Sequence, residues 1–131
     1  MVPELSRDAL AALYRDSDAF VLPSRGEGWC LPCMEAMSSG LPMITTNYSG
    51  PSAFISEQNA YPVDVQHINQ VTLQAEPDVH HLRSQMRRVC TDRAAAAATG
   101  RQARADVLSR FSAEQVAGIV VEKLEKLVQP A

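Results

Sequence analysis

A short apolar run, a helical segment and a second short strand segment constrain the fold of this chain more than any other feature. The apolar run, residues 19–22, ends at Pro23, and the second strand segment is residues 43–46. A short continuous apolar run is typical of a strand buried on both faces of a parallel sheet. Pro32 suits the first turn of a helix between the two segments, and Gly40 suits the position after its last turn. The order strand, helix, strand predicts a parallel βαβ unit.

Capping residues predict further helices around this unit. Ser6 favours a helix over residues 6–16, and Asp78 favours another, which residues 92–110 either continue or interrupt. Ser112 begins a capping box for the last helix. The apolar positions of that helix form one stripe: Val116, Ile119, Val120, Leu124, Leu127 and Val128.

The segment between the βαβ unit and the helices is less regular. A third helix is expected near Ser52, and residues 60–65 are expected to form a short edge strand that Pro62 weakens. The sequence therefore predicts an α/β fold with a Rossmann-like parallel sheet in a single domain. Its βαβ core occupies residues 1–66, and its largely helical C-terminal half occupies residues 77–131.

Charge and hydropathy exclude several function classes. The formal net charge is -3 and the pI is about 5.5, which gives no basic face for nucleic acid. No apolar run approaches the roughly 20 residues that a bilayer span needs. Because the first residues also lack the basic and apolar regions of a signal peptide, we expect a cytoplasmic location.

The number of cysteines and the spacing of the histidines also exclude kinds of site. The chain has three cysteines, and this odd number argues against a disulfide framework. His67, His80 and His81 have no partner at ligand spacing, so no metal site is expected.

The segment that follows the first predicted strand and enters the helix, residues 24–37, contains the candidate catalytic and ligand-binding residues. Ligands bind at the carboxyl ends of parallel strands, and a helix N-terminus suits a phosphate. Gly26 and Gly28 allow close approach of a ligand to the backbone. Glu27 and Glu35 can face one pocket, where carboxylates accept hydrogen bonds from paired hydroxyls. This combination predicts a ligand with a central phosphate and diols at both ends, which is the layout of a nucleotide-sugar.

Glu27 and Glu35 have seven residues between them and resemble the E-x7-E signature of retaining GT-B glycosyltransferases of family 4, the glycosyl transferases group 1. The surrounding string is Pro-Ser-Arg-Gly-Glu-Gly-Trp-x-Leu-Pro-x-x-Glu-Ala-Met-x-x-Gly-Leu-Pro, and the resemblance also includes residues 13–21, 46–51 and 59–62. The resemblance implies part of the C-terminal, nucleotide-sugar-binding domain of such an enzyme. It also implies that the N-terminal acceptor domain belongs to a part or partner outside this chain.

The same resemblance implies roles for the site residues. Glu27 would be the catalytic-site carboxylate that holds hydroxyls of the donor sugar, and Glu35 would hold the ribose. The backbone N–H groups implied to reach the sugar or the diphosphate are those of Gly28, Trp29, Cys30 and Leu31. The leaving phosphate would accept the proton of the acceptor, so neither a side-chain nucleophile, a metal nor a cofactor is implied. The family usually has Gly at the position of Cys30, whose side chain is therefore expected to narrow the donor pocket or shift the loop.

Two alternatives remain open at this point. Residues 29–33, Trp-Cys-Leu-Pro-Cys, match the W-C-x-P-C pattern of thioredoxin-like redox sites, which also follows a strand and opens a helix. Such a fold needs a second βαβ element and a hairpin after that helix, whereas the chain after Asp78 is mostly helical. Small buried residues are the simpler interpretation of the cysteines. The other alternative is a catalytically silent remnant that binds the sugar donor without transfer.

Overall fold

A computed structural model of the chain describes residues 5–128. The helices are α1 (Arg7–Asp16), α2 (Leu31–Ser38), α3 (Val79–Thr91), α4 (Arg93–Phe111) and α5 (Ala113–Val128). The strands are β1 (Phe20–Leu22), β2 (Met43–Thr46), β3 (Tyr61–Val63), β4 (Val65–Ile68) and β5 (Ala75–Pro77), and a 3-10 helix occupies Gly50–Ala53.

The first three strands form a parallel sheet with β2 in the centre. Phe20 of β1 pairs with Met43 of β2, and Ile44 of β2 pairs with Tyr61 of β3. Every residue of β2 is buried, as expected for a central parallel strand. The predicted βαβ unit and the α/β fold class are confirmed.

Neighbouring residues of β2 point into two different apolar clusters. Met43 lies in a cluster with Met37 of α2 and Val107 of α4. Ile44 lies in the other, with Val63 of β3 and Val89 of α3. Successive side chains of a strand point to opposite faces, so helices cover both faces of the sheet.

The predicted capping residues occupy the starts of the helices. The side chain of Ser6 accepts from the N–H of Ala9 at 3.2 Å, and that of Asp78 accepts from the N–H of His81 at 2.9 Å. The second of these bonds lowers the pKa of Asp78. Asp92 ends α3 and caps α4, which shows that residues 92–110 form a separate helix.

Between β2 and α3 the structure changes the bounds of two predicted elements and adds a third element. The helix expected near Ser52 is a four-residue 3-10 helix, with Pro51 in its first turn. The predicted edge strand is confirmed as β3, which is shorter than residues 60–65 and pairs in parallel with β2. The antiparallel hairpin of β4 and β5 was not predicted, because most residues of β4 are exposed and show no apolar alternation.

The predicted last helix is confirmed as α5, and its apolar stripe lies on the surface of the protein. α5 contacts α4, yet none of its residues is buried. No helix within residues 5–128 is both long and apolar enough to cross a bilayer.

Candidate functional site

Two loops meet at the carboxyl ends of β1 and β2. The β1 loop (residues 23–30) leads from β1 into α2, and the β2 loop (residues 47–49) leads from β2 into the 3-10 helix. The N–H of Glu27 donates to the Oγ of Ser49 at 2.9 Å. The N–H of Gly50 donates to the carbonyl of Glu27 at 3.1 Å. We call these hydrogen-bonded loops the joined rim; they place Glu27 at the switch from sheet to helix.

Gly50 allows the two loops to approach this closely. A Cβ at residue 50 would lie 2.3 Å from the carbonyl oxygen of Gly28, a distance that real Cβ atoms do not reach. A Cβ at residue 28 would have no atom within 4 Å. Gly28 therefore borders open space, as a residue approached by a ligand must, whereas Gly50 is needed by the fold. Sequence reasoning did not assign a role to Gly50, although its Gly-Pro pair signals a turn.

Glu35 lies on the first turns of α2 and is exposed. The hydroxyl of Tyr14, on α1, donates to its Oε2 at 3.0 Å. Burial and this bond to a carboxylate raise the pKa of Tyr14 from 10.0 to about 12. The bond fixes one oxygen of Glu35 and leaves the other available. Tyr14 was not singled out from the sequence; its only signal was its place in residues 13–21.

Glu35 separates two open clefts. One measures about 360 Å³ and is lined also by Arg7, Leu10, Ala11, Tyr14, Ser38 and Ser39. The other measures about 340 Å³ and is lined also by Trp29, Leu31, Met34, Ser38, Val107 and Phe111. Glu27 lies in neither lining. The expectation that both carboxylates face one pocket is thus not met by these two clefts.

Backbone N–H groups at the start of α2 provide the positive end of the site. Among the hydrogen bonds of residues 5–128, none uses the N–H of Gly28, Trp29, Cys30 or Leu31 as its donor. A helix N-terminus with unengaged N–H groups favours an anion such as a phosphate. The same described residues contain no group of three or more His, Cys, Asp or Glu side chains placed to hold a metal ion.

Trp29 connects the β1 loop to the end of α4. Its ring lies 5.3 Å from that of Phe54 and 5.6 Å from that of Phe111, measured between centroids. It remains 41% exposed. Of the two roles that the sequence allowed, stacking on a ligand and packing, the structure shows packing against two aromatic rings by a side chain that stays partly accessible.

Cys30 and Cys33 form a disulfide, which the cysteine count argued against and which the thioredoxin-like alternative predicts. Both residues are buried, as the simpler interpretation of the cysteines requires, whereas Cys90 is free and exposed. Cys30 is the N-cap of α2 and has φ +69°, in the left-handed region that favours glycine. The loop therefore keeps a glycine-like backbone although a side chain is present.

The hairpin of β4 and β5 supports the β1 loop from the other side. The carbonyl of Arg25 accepts from the N–H of Ala75 at 2.8 Å, and Nε of Arg25 lies 3.0 Å from the Oε2 of Glu76. This support was missed from the sequence because the hairpin itself was missed.

Comparisons with known proteins agree with this geometry. The chain matches the family described as glycosyl transferases group 1 over residues 1–106. It is 34% identical to a glycogen synthase of Mycobacterium tuberculosis over 117 residues, which cover 88% of this chain and 26% of that protein. It is 42% identical to a GDP-mannose-dependent alpha-mannosyltransferase of Mycolicibacterium smegmatis over 53 residues, which cover 40% of this chain and 14% of that protein.

A solved structure shares the fold. Sucrose-phosphate synthase of Thermosynechococcus elongatus superposes with a TM-score of 0.77 at 26% identity, covering 96% of this chain and 29% of that one. The chain thus spans between about one seventh and three tenths of the length of these relatives. The parallel sheet, the joined rim and the match over residues 1–106 lead to one conclusion: the chain belongs to the glycosyl transferases group 1 family.

Proposed function

We propose that this chain is the nucleotide-sugar-binding part of a retaining family 4 glycosyltransferase, which transfers a sugar from a nucleotide-diphosphate-sugar to an acceptor. The main support is the joined rim at the carboxyl ends of β1 and β2, which holds Glu27 and leads into α2, the helix that carries Glu35. The mannosyltransferase relative is named for a GDP-linked sugar donor, so a nucleotide-sugar is the class of ligand to test.

Each part of the sugar donor has a counterpart in the site. The diphosphate lies against the unengaged N–H groups of residues 28–31 at the positive end of α2. Glu35 accepts hydrogen bonds from the ribose through the oxygen that Tyr14 leaves available. Glu27 accepts them from the hydroxyls of the transferred sugar. In this arrangement Glu35 recognises any nucleotide diphosphate, whereas Glu27 recognises only a sugar-bearing one.

The proposed reaction needs no nucleophile from the protein. The bond between the sugar C1 and the diphosphate oxygen breaks, and the acceptor oxygen forms a bond to C1 on the same face of the sugar. The acceptor proton passes to the departing diphosphate oxygen, and the N–H groups of residues 28–31 stabilise the charge that develops there. The proposed reaction also uses no metal. The acceptor is bound by an N-terminal domain or partner outside the described residues.

Calorimetry of the 131-residue chain with UDP, GDP, ADP and their sugar conjugates tests the proposal. Glu35→Gln should weaken the binding of both the nucleotide and its sugar conjugate by about tenfold, because a hydrogen bond to a charged group is lost. Glu27→Gln should weaken only the sugar conjugate by a similar factor.

Glu125→Gln provides a matched control, since it removes the same charge from α5, a helix that contacts α4. Its affinities should equal those of the parent chain. Absence of any nucleotide binding would overturn the proposal. Binding with no transfer in the presence of the acceptor domain would instead support a silent donor-binding module.

A further inference from the structure

The two paired cysteines lie where the β1 loop becomes a helix. Cys30 is the N-cap of α2, and Cys33 lies in its first turn. The N–H groups of Cys33 and Met34 both donate to the carbonyl of Cys30, at 3.1 and 3.2 Å. The disulfide therefore links the same residues that close the first turn of the helix.

The disulfide includes a residue with an unfavourable backbone conformation. An L residue with a side chain disfavours the left-handed region in which Cys30 lies at φ +69°. Ser49 of the β2 loop also has a positive φ, 53°. Both residues border the joined rim, so the rim holds an unfavourable backbone that other contacts must maintain. The disulfide is one such contact, and it is the one that a change of redox state removes.

A change in the backbone conformation of Cys30 would move the residues that precede it. Glu27 is held by two hydrogen bonds to the β2 loop and its end, at 2.9 and 3.1 Å. On the other side, Cys33, Ala36 and Met37 of α2 are buried, with 0% exposure at Cys33. Between these fixed points lie Gly28 and Trp29, whose N–H groups donate to none of the described residues. A different φ at Cys30 would redirect them.

We propose that Cys30 and Cys33 form a reversible thiol–disulfide site that controls the affinity of the joined rim for its nucleotide ligand. The effect on the ligand rests on the proposed function. The thiolate of a dithiol reductant attacks the sulfur of Cys30, the S–S bond breaks, and Cys33 leaves as a thiolate. The second thiol of the reductant then releases Cys30. The protein gains two electrons and two protons, and the reductant becomes a disulfide.

The surroundings of the pair set how this exchange proceeds. Cys30 keeps 4% exposure and Cys33 has none, so attack occurs at Cys30 and requires local opening of the loop. The positive end of α2 stabilises the thiolate that leaves from Cys33. A ligand bound to the rim should slow this opening. By thermodynamic reciprocity, the factor by which reduction weakens ligand binding equals the factor by which the ligand stabilises the disulfide.

The experiment uses the full chain carrying Cys90→Ser, which removes the free exposed thiol. The protein is compared after oxidation and after treatment with dithiothreitol, and its intact mass establishes the state of the pair. Nucleotide diphosphates are titrated into both forms by calorimetry. We expect about tenfold weaker binding to the reduced form. An L residue disfavours the left-handed region by about this factor, and reduction removes the bond that helps to hold Cys30 there.

Two variants separate the shape of the loop from the presence of cysteine. Cys33→Ser removes the disulfide and leaves a disfavoured residue at position 30, whereas Cys30→Gly removes the disulfide and places there a residue that adopts a positive φ freely. Neither variant should respond to dithiothreitol. Cys30→Gly should bind the nucleotide more tightly than Cys33→Ser.

The outcomes distinguish this inference from the proposed function. Equal nucleotide affinity in the two redox states would overturn the inference and leave the proposed function standing. If neither state binds a nucleotide, the proposed function fails, and hydrogen exchange of the amides of Cys33 and Met34, which donate to the carbonyl of Cys30, decides the inference alone. Faster exchange in the reduced form would support a reversible site that shapes the loop. Identical exchange, or failure of the pair to oxidise, would overturn it.

Discussion

Gly100 of α4 lies so close to Gly40 that a Cβ on residue 100 would stand 2.1 Å from the carbonyl oxygen of Gly40. Gly40 follows α2 with φ +79°. A glycine inside a helix lowers the stability of the helix by about 1 kcal/mol relative to alanine. At residue 100 the absence of a Cβ lets the backbone of α4 contact the backbone of Gly40. The guanidinium of Arg104, one turn further along α4, also donates to the carbonyl of Ser38. The contact fixes α4 against the end of the helix that carries Glu35.

Gly100→Ala should therefore destabilise the chain, although helix propensity alone predicts the opposite. The added methyl group has backbone as its neighbour, so overpacking should lower the free energy of unfolding by about 1–3 kcal/mol. Urea unfolding measures the change. Gly118→Ala on α5 is the matched control, because a Cβ there meets no atom within 4 Å. The control should gain up to about 1 kcal/mol. A similar gain for Gly100→Ala would show that the contact is absent.

The elements that were predicted correctly depend on signals within a few residues. The strand predicted at residues 43–46 is β2, and Pro32 and Gly40 mark the two ends of α2. Ser6 and Asp78 cap the helices that they were expected to cap. Capping and burial of a central strand are local in sequence, which is why they could be read from it.

The features that were missed depend on distances in space. Nothing near Gly100 in the sequence indicates that it meets Gly40. The disulfide differs, because Cys30 and Cys33 are three residues apart and their W-C-x-P-C pattern is visible in the sequence. Glu27 and Glu35 could be proposed as site residues from the sequence pattern, whereas the hydrogen-bond partner of Glu35 could not. Its partner, Tyr14, comes from a different helix.

Gly50→Ala tests the closure of the joined rim. Its Cβ would lie 2.3 Å from the carbonyl oxygen of Gly28, so the β1 and β2 loops must separate. We expect a loss of about 1–3 kcal/mol in stability, together with weaker nucleotide binding measured by calorimetry. Gly28→Ala is the comparison for stability, since its Cβ meets no protein atom within 4 Å, and its unfolding free energy should change by less than about 0.5 kcal/mol. Equal stability of the two variants would contradict the close approach.

Tyr14 should make the free energy of unfolding of the chain depend on pH above pH 10. Its pKa in the fold is about 12, raised from 10.0 by burial and by Glu35, so the neutral hydroxyl is the form that the fold favours. The stabilisation is complete below pH 10 and is lost as the pH rises from 10 through 12. Tyr14→Phe should remove this part of the pH profile in urea unfolding. It should also remove the tyrosinate absorbance phase near pH 12. Tyr48→Phe, whose hydroxyl bonds to a carbonyl, should leave that phase in place.

Trp29 is the single tryptophan of the chain, so its fluorescence should report occupancy of the site. The ring is 41% exposed and lines the cleft beside Glu35. A nucleotide-sugar bound there should reduce quenching by acrylamide, with N-acetyl-tryptophanamide as the control for absorption by the base. Phe111→Leu removes an aromatic contact and should increase quenching of the free chain while costing about 1 kcal/mol of stability. Quenching unchanged by a nucleotide-sugar that calorimetry shows to bind would place the ligand away from Trp29.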